Sequence, residues 1–545
     1  MSVMTYIPYG ADGIIVRVEA DIRRGIPGFD ISGLAEGAVR EARERVRAAF
    51  RNSGFSFPAD RVLINLAPAG LRKDGAALDL PIAISIMIAA GLAPGAGELL
   101  IMGELELSGT VRPVRGVLAA ISSGLKEGIC EFIVPAENAR EAAILTSARF
   151  TAANSLREAA HALFARKETG TLLAPLPAQY AEPLGQPLIA DNTADKGDFA
   201  DVRKQGSYKR ALEIAAAGGH NTLVFGPPGA GKTMLARRMT SVMAPLTGDE
   251  AVEVTRLYSL AGPLKTGNGA GFIDQLISCP PFRAPHHSAS AEGILGGGRC
   301  PRPGEISLAH FGVLFLDEAP EFKTNVLQAL REPLEDRVIS IVRAERPLQF
   351  PAEFQLIMAA NTCPCGRLGM RTEDEGSPGN VSNGAHSCFC SPQEIHRYWR
   401  KFGGALLDRI EIRVPVLPPK ISEIDRQNSQ HTEEKSAVVA GRVLAAVEIQ
   451  RQRFKEKRIR RNALLPASQI EHCCPMSDQT RAAFHKAITR LGLSGRAYHG
   501  ILRVARTIAD LESKEIIETE HILEAVHHRR FGEDPWVVVD LLKHC

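Results

Sequence analysis

One segment constrains this chain more than any other: Gly226-Pro-Pro-Gly-Ala-Gly-Lys232-Thr233, preceded by the apolar run 221–225 and followed by a helical pattern. Strand, glycine-rich loop and helix in that order form a Walker A phosphate loop, which imposes an α/β nucleotide-binding unit. Gly226, Pro227, Pro228, Gly229, Ala230 and Gly231 shape a turn whose backbone N–H groups face inward around phosphates. The positive end of the following helix adds to that field, Lys232 reaches the β- and γ-phosphates of ATP, and the Thr233 hydroxyl suits Mg2+. An incidental glycine-rich turn is the competing reading, and the complete motif in its full context counts against it.

The run 312–316, Gly-Val-Leu-Phe-Leu, is apolar throughout and ends in Asp317-Glu318, as when a buried parallel strand delivers carboxylates to its C-terminal edge. In such a Walker B element Asp317 holds Mg2+ through water while Glu318 polarises the attacking water. A strand that merely ends in two acids is the plainer alternative, weakened by the Walker A segment in the same chain. A third apolar run, 354–360, stops at Asn361. Its amide suits a bond to both the γ-phosphate and the lytic water, and an Asx turn closing the strand is the other reading. Arg409 follows Leu406-Leu-Asp408 and precedes the apolar stretch 410–416. It reads either as a partner of Asp408 or as a finger for a neighbouring subunit's γ-phosphate.

Around this centre the pattern divides. Over 1–166, short apolar runs at 13–18, 61–67 and 132–134 alternate with helical stretches such as 34–50, predicting an α/β domain. Periodicity fades over 167–198, where Pro175, Pro177, Pro183 and Pro187 mark a linker. The nucleotide-binding core follows over 199–419. Residues 420–545 read as a helical lid, with helices predicted at 434–457, 478–490, 495–512 and 518–529.

A length of 545 residues accommodates such a division, at about 150 residues per domain. With 45% hydrophobic and 23% charged residues, neither disorder nor a fibrous repeat is supported. The net charge of +3 permits contact with phosphate backbones without marking a nucleic-acid footprint. The most apolar stretch, 80–94, contains Pro81 and Ser85 and falls short of the roughly 20 residues a bilayer span needs. Residues 1–12 lack a secretory pattern, so a cytoplasmic protein with its 10 cysteines reduced is expected.

Cys363, Cys365, Cys388 and Cys390 form two Cys-x-Cys pairs. Four thiolates suit a closed tetrahedral Zn2+ site, although the one-residue gap is tighter than the usual knuckle and free thiols are the alternative. His286 and His287 read either as a hydrogen-bonded loop element or as part of a loop facing DNA. Arg451, Arg453, Lys455, Lys457, Arg458, Arg460 and Arg461 read as a phosphate-contacting run or as a solvated helix end.

Five segments together resemble the magnesium-chelatase-like branch of the AAA+ ATPases, and within it the ComM (YifB) family: Phe282-Arg-Ala-Pro-His286-His287-Ser288, Gly296-Gly-Gly, Pro303-Gly-Glu-Ile-Ser-Leu-Ala-His310, Leu316-Asp-Glu-Ala-Pro-Glu-Phe322 and Ala360-Asn-Thr-Cys-Pro-Cys-Gly366. The resemblance implies a homo-hexameric DNA motor, an ATPase whose hydrolysis drives branch migration as incoming DNA recombines during natural transformation, alongside recombination proteins and away from membranes. By the same kinship Asn361 is sensor 1, Arg409 the arginine finger and Arg496 sensor 2, with Arg503 and Arg506 as competitors. Lys204-Gln205 and Ala319 depart from the family's frequent residues without touching the catalytic groups.

The first domain resembles the proteolytic fold of Lon through Arg72-Lys73-Asp74-Gly75-Ala76-Ala77 and Gly103-Glu-Leu-Glu-Leu-Ser-Gly109. That chemistry needs a serine and a lysine, and their positions hold Ala77 and Leu118, so no peptidase activity is expected. Three alternatives to the motor stand: a chelatase-type motor subunit that remodels a metal-insertion partner, an ATP-dependent protease, and a nucleotide-gated DNA scaffold.

Overall fold

The computed structural model describes residues 2–34, 37–73, 75–172, 197–262, 264–266, 269–271, 273, 275–298, 301–341, 347–368, 388–418, 433–455 and 459–530. Most of the expected linker, the cysteine-loop interior 369–387, Asp74, Lys457, Arg458 and the last stretch of the expected lid, 531–545, lie outside the described residues.

The N-terminal part is a seven-stranded sheet in the order Gly28–Ser32, Arg61–Ala67, Ile14–Arg23, Ser2–Ile7, Leu99–Ile101, Glu131–Pro135, Arg149–Ala153. Helix Asp79–Ala89 is buried from Asp79 to Ile88. Its sequence is apolar on every side because it lies between the sheet and helices Gly37–Asn52 and Leu156–Thr169. The one charge in it, Asp79, is clamped by both nitrogens of Arg45 at 2.7 and 2.9 Å. Helix Leu156–Thr169 runs past the expected edge at 166. Ser155 caps its start, Gly170 ends it in the left-handed region, and Arg166 is held to Glu131 at 2.6 Å.

The second sheet has five parallel strands in the order Phe282–Arg283, Val313–Leu316, Gln355–Ala360, Thr222–Phe225, Ile412–Pro415. Its central strands are buried on both faces, which is why they read as unbroken apolar runs. The register pairs Phe225 with Ala360 and Leu316 with Met358, so the residues that follow all three strands emerge at one edge.

Helices Ser436–Arg453, Ala467–Cys473, Asp478–Leu491, Gly495–Leu511 and Thr519–Arg529 share an apolar core with helix Gly206–Gly218. Of the basic run 451–461, Lys455 is exposed, whereas Arg453 and Arg460 have partners within the fold. Arg453 grips the buried Asp510, and Arg460 pairs with Glu250 at 3.1 Å while lying 3.9 Å above the Phe311 ring. Arg460 thus ties the C-terminal helices to helix Gly248–Ala261, while the Arg453–Asp510 pair holds those helices to one another.

The N-terminal sheet seats on helix Gly248–Ala261 and on the hairpin Val338–Ile341/Leu348–Pro351. Arg256 reaches Asp12 at 2.8 Å, Ala11 N–H donates to Gln349 O at 3.1 Å, and Leu260 enters the cluster of Tyr6, Val114 and Val117. Ser259 donates to the buried Glu141 carboxylate, which also accepts from the Leu118 N–H at 3.0 Å and the Asn138 amide at 2.8 Å. No helix among the described residues is long and apolar enough to cross a membrane.

Candidate active site

The phosphate loop leaves strand Thr222–Phe225 at Gly226, where a Cβ would stand 2.0 Å from the Val416 carbonyl, so only glycine fits. Gly229 and Gly231 take left-handed φ values of 78° and 81° and turn the loop back towards the strand. The helix that follows, Lys232–Arg237, is short and tightens into a 3-10 turn over Arg238–Ser241. Tyr208, fully buried, braces its first turn by donating to the Lys232 carbonyl at 3.1 Å. Gln205 ties the loop to the neighbouring strand end through Ala230 O and Leu417 O.

Lys232 Nζ donates to Gly226 O at 2.7 Å, Pro227 O at 2.9 Å and Asn361 Oδ1 at 3.1 Å. Burial draws its ammonium down to about 8, against the opposing pull of Asp317 and Glu318. Thr233 Oγ1 donates to Asp317 Oδ2 at 2.8 Å. A hydroxyl and a carboxylate oxygen so paired are the donor set that Mg2+ takes beside a triphosphate. Glu318, more than half exposed, stands in the left-handed region at φ 48°, with its N–H held by Asp317 Oδ1 at 3.0 Å. A non-glycine residue there persists only where its surroundings hold it.

The two histidines have different neighbours, both within the chain. His286 Nδ1 and Ser288 Oγ share a hydrogen bond at 2.8 Å, an ordinary loop contact. His287 Nδ1 stands 3.7 Å from Glu318 Oε2, a neighbour that no spacing in the sequence announces.

Two arginines singled out by kinship lie elsewhere. Ile412 pairs with Thr222, so Arg409 precedes its strand at the edge opposite the phosphate loop, about 13 Å of strand away. Its guanidinium meets Glu335 at 2.6 Å, and the same carboxylate takes Arg496 at 2.8 Å. Arg496 also pairs with Asp408 at 3.3 Å. Glu335, which has no motif around it, therefore gathers both cations on one face. The competing arginines sit deeper: Arg506 is buried against Asp510, and Arg503 donates to Leu465 O at 2.8 Å.

All four clustered cysteines come together, each pair of sulfurs lying within 4.8 Å. In the N-terminal sheet Ala77 falls in the turn Ala76–Leu78 and Leu118 is buried in helix Val117–Lys126. The nearby Lys73 ammonium is occupied by the carbonyls of Gly33, at 2.9 Å, and Pro68.

Three family models match the chain in order: "Subunit ChlI of Mg-chelatase" over 18–138, "Magnesium chelatase, subunit ChlI" over 198–424, and "Magnesium chelatase, subunit ChlI C-terminal" over 433–529. The chain is 40% identical to the competence protein ComM of Haemophilus influenzae, with 95% of each chain covered. It is 39% identical to the YifB protein of Salmonella typhimurium, over 97% of this chain and 96% of that one. In the N-terminal region it is 27% identical over 168 residues to Lon protease 1 of Sorangium cellulosum, covering 29% of this chain and 20% of the protease.

Proposed function

The chain belongs to the ComM (YifB) family of magnesium-chelatase-like AAA+ ATPases, and on that premise we propose that it is an ATP-driven hexameric motor that moves branched DNA junctions. One observation carries the ring. Lys232, Thr233, Asp317, Glu318 and Asn361 crowd one sheet edge, while Arg409 and Arg496 stand together at the other. A finger that cannot reach its own site completes the site of an adjacent copy.

In this reading the loop amides and the Lys232 ammonium grip the β- and γ-phosphates. Asn361 exchanges its contact with Lys232 for the lytic water and the γ-phosphate. Glu318 accepts a proton from that water as its oxygen bonds to the γ-phosphorus, and the bond to the β-phosphate oxygen breaks to leave ADP. Thr233 and Asp317 are the residues that fit Mg2+, which supplies charge neutralisation across the β- and γ-phosphates when bound. Arg409, with Arg496 beside it, stabilises the charge that develops on the transferred group from the next subunit. Turnover then shifts the lid relative to the core and draws DNA through the ring, in the cytoplasm, during recombination of incoming DNA.

The test is a labelled three- or four-stranded junction incubated with purified protein, ATP and Mg2+ beside a Lys232→Ala control. Strand movement by the unmutated protein alone is expected. ATP hydrolysis indifferent to DNA, with no strand movement, sinks the motor and favours a chelatase-type subunit that remodels a protein partner.

A further inference from the structure

The four-cysteine cluster lies against the catalytic edge of the sheet. Cys363 and Cys365 lie two and four residues after Asn361, and Cys388 and Cys390 lie three residues and one residue before Ser391, the N-cap of helix Pro392–Arg400. That helix turns back onto the same strand end. Trp399 Nε1 donates to Thr362 O at 3.1 Å, the Tyr398 hydroxyl faces the Asn361 backbone, and the Trp399 ring meets Phe225 edge-on at 5.5 Å. Gly366, in the turn after Cys365, is so close to the phosphate loop that a Cβ would stand 2.8 Å from Pro228 Cγ. Whatever fixes the four sulfurs therefore fixes Asn361 from both sides and backs Pro228.

The sulfurs are arranged for a metal ion. Cys363 and Cys365 are 3.3 Å apart, and Cys388 stands 3.6 Å from each. Four sulfurs bonded to a tetrahedral Zn2+ at about 2.3 Å sit roughly 3.8 Å from one another. The Leu368 N–H points at Cys363 Sγ across 3.4 Å, an outer hydrogen bond of the kind that orients a metal-bound thiolate. The two pairs are 23 residues apart in sequence, from Cys365 to Cys388. Closing so long a loop costs entropy that a multivalent ion offsets.

We infer that Cys363, Cys365, Cys388 and Cys390 bind one Zn2+ per chain, and that this ion is a clamp that positions Asn361 for hydrolysis. The inference rests on the ATPase site proposed above, not on DNA movement. The cysteines are positioning residues; none touches the nucleotide. Because Asn361 acts on the water and phosphate in flight, losing the clamp lowers kcat, while the grip of Lys232 keeps the KM for ATP nearly constant.

The test uses the full chain without DNA, so its outcome is separable from failure of the motor reading. Metal content is measured for the unmutated protein, for Cys388→Ser, for the zinc-competent Cys388→His, and for Cys130→Ser as an exposed control outside the cluster. One zinc per chain is expected in the unmutated, Cys388→His and Cys130→Ser proteins and little in Cys388→Ser. Protein made with Co2+ in place of zinc should show thiolate-to-cobalt charge transfer and tetrahedral ligand-field bands, a readout that needs no variant to fold. For Cys388→Ser, kcat should fall by roughly tenfold to a hundredfold, as for a reacting group displaced by about 1 Å, with partial recovery in Cys388→His. Zinc-free unmutated protein without cobalt bands overturns the site, and loss of zinc with kcat unchanged overturns the clamp.

Discussion

Lys232 Nζ lies 3.1 Å from Asn361 Oδ1, so a side-chain hydrogen bond joins the phosphate loop to the end of the adjacent strand, beside the backbone bond from Gly226 N–H to Ala360 O at 3.2 Å. The lysine's other donors are taken by Gly226 O and Pro227 O. Its three hydrogens thus all have acceptors within the protein, as a buried cation requires.

Asn361→Ala removes a group that acts on the water rather than on bound ATP. We expect kcat to fall by about 10²-fold, near 3 kcal/mol, with nucleotide affinity nearly retained. Single-turnover hydrolysis beside fluorescent-nucleotide binding separates the two effects. Lys232→Ala should instead abolish binding.

The depressed Lys232 gives binding a proton linkage. Burial lowers its pKa to about 8 in the free site, and phosphates restore the charged form. Above pH 8 the free protein has lost this proton, so ATP binding must take one up and affinity must fall as pH rises further. Calorimetry at pH 8.5 in buffers of different ionisation enthalpy should show net uptake in the unmutated chain and less in Lys232→Arg, whose guanidinium stays protonated throughout.

Glu335 holds both Arg409 and Arg496. The triad is partly exposed, so Glu335→Ala should change stability by no more than about 1 kcal/mol. Arg409→Ala should cut ATP turnover by roughly 10³-fold with binding intact. Mixing Arg409→Ala with Lys232→Ala chains should restore part of the turnover, because some interfaces then pair an intact loop with an intact finger. Full activity in an isolated monomer would refute the shared site.

Ala77→Ser restores a hydroxyl to the N-terminal sheet without a base. Leu118 is buried and apolar, and Lys73 is bound by two backbone carbonyls. We expect no casein cleavage and no labelling by a serine-directed phosphonate, measured by intact mass.

Much of the nucleotide site was legible because it is local. A glycine loop needs its residues consecutive, and a buried strand must be apolar along its whole length, so 221–233, 312–318 and 354–361 could be read without knowing what they touch. The helix 79–89 was less legible: apolar on every side, it carries no periodicity and resembles any buried segment. Glu335 and the contact of His287 with Glu318 left no trace, since each depends on segments brought together by the fold.

By itself the chain's sequence determined that a phosphate loop, an acidic strand end and an amide would lie on one α/β unit, because short-range chemistry dictates those patterns. Only the tertiary structure decided that Arg409 and Arg496 converge on Glu335 at the far edge of the sheet, that four sulfurs gather behind Asn361, and that Arg453 pairs with Asp510 and Arg460 with Glu250. Those outcomes depend on strand order and on which helix covers which face, and pairings between distant segments are set by the packing of the whole core.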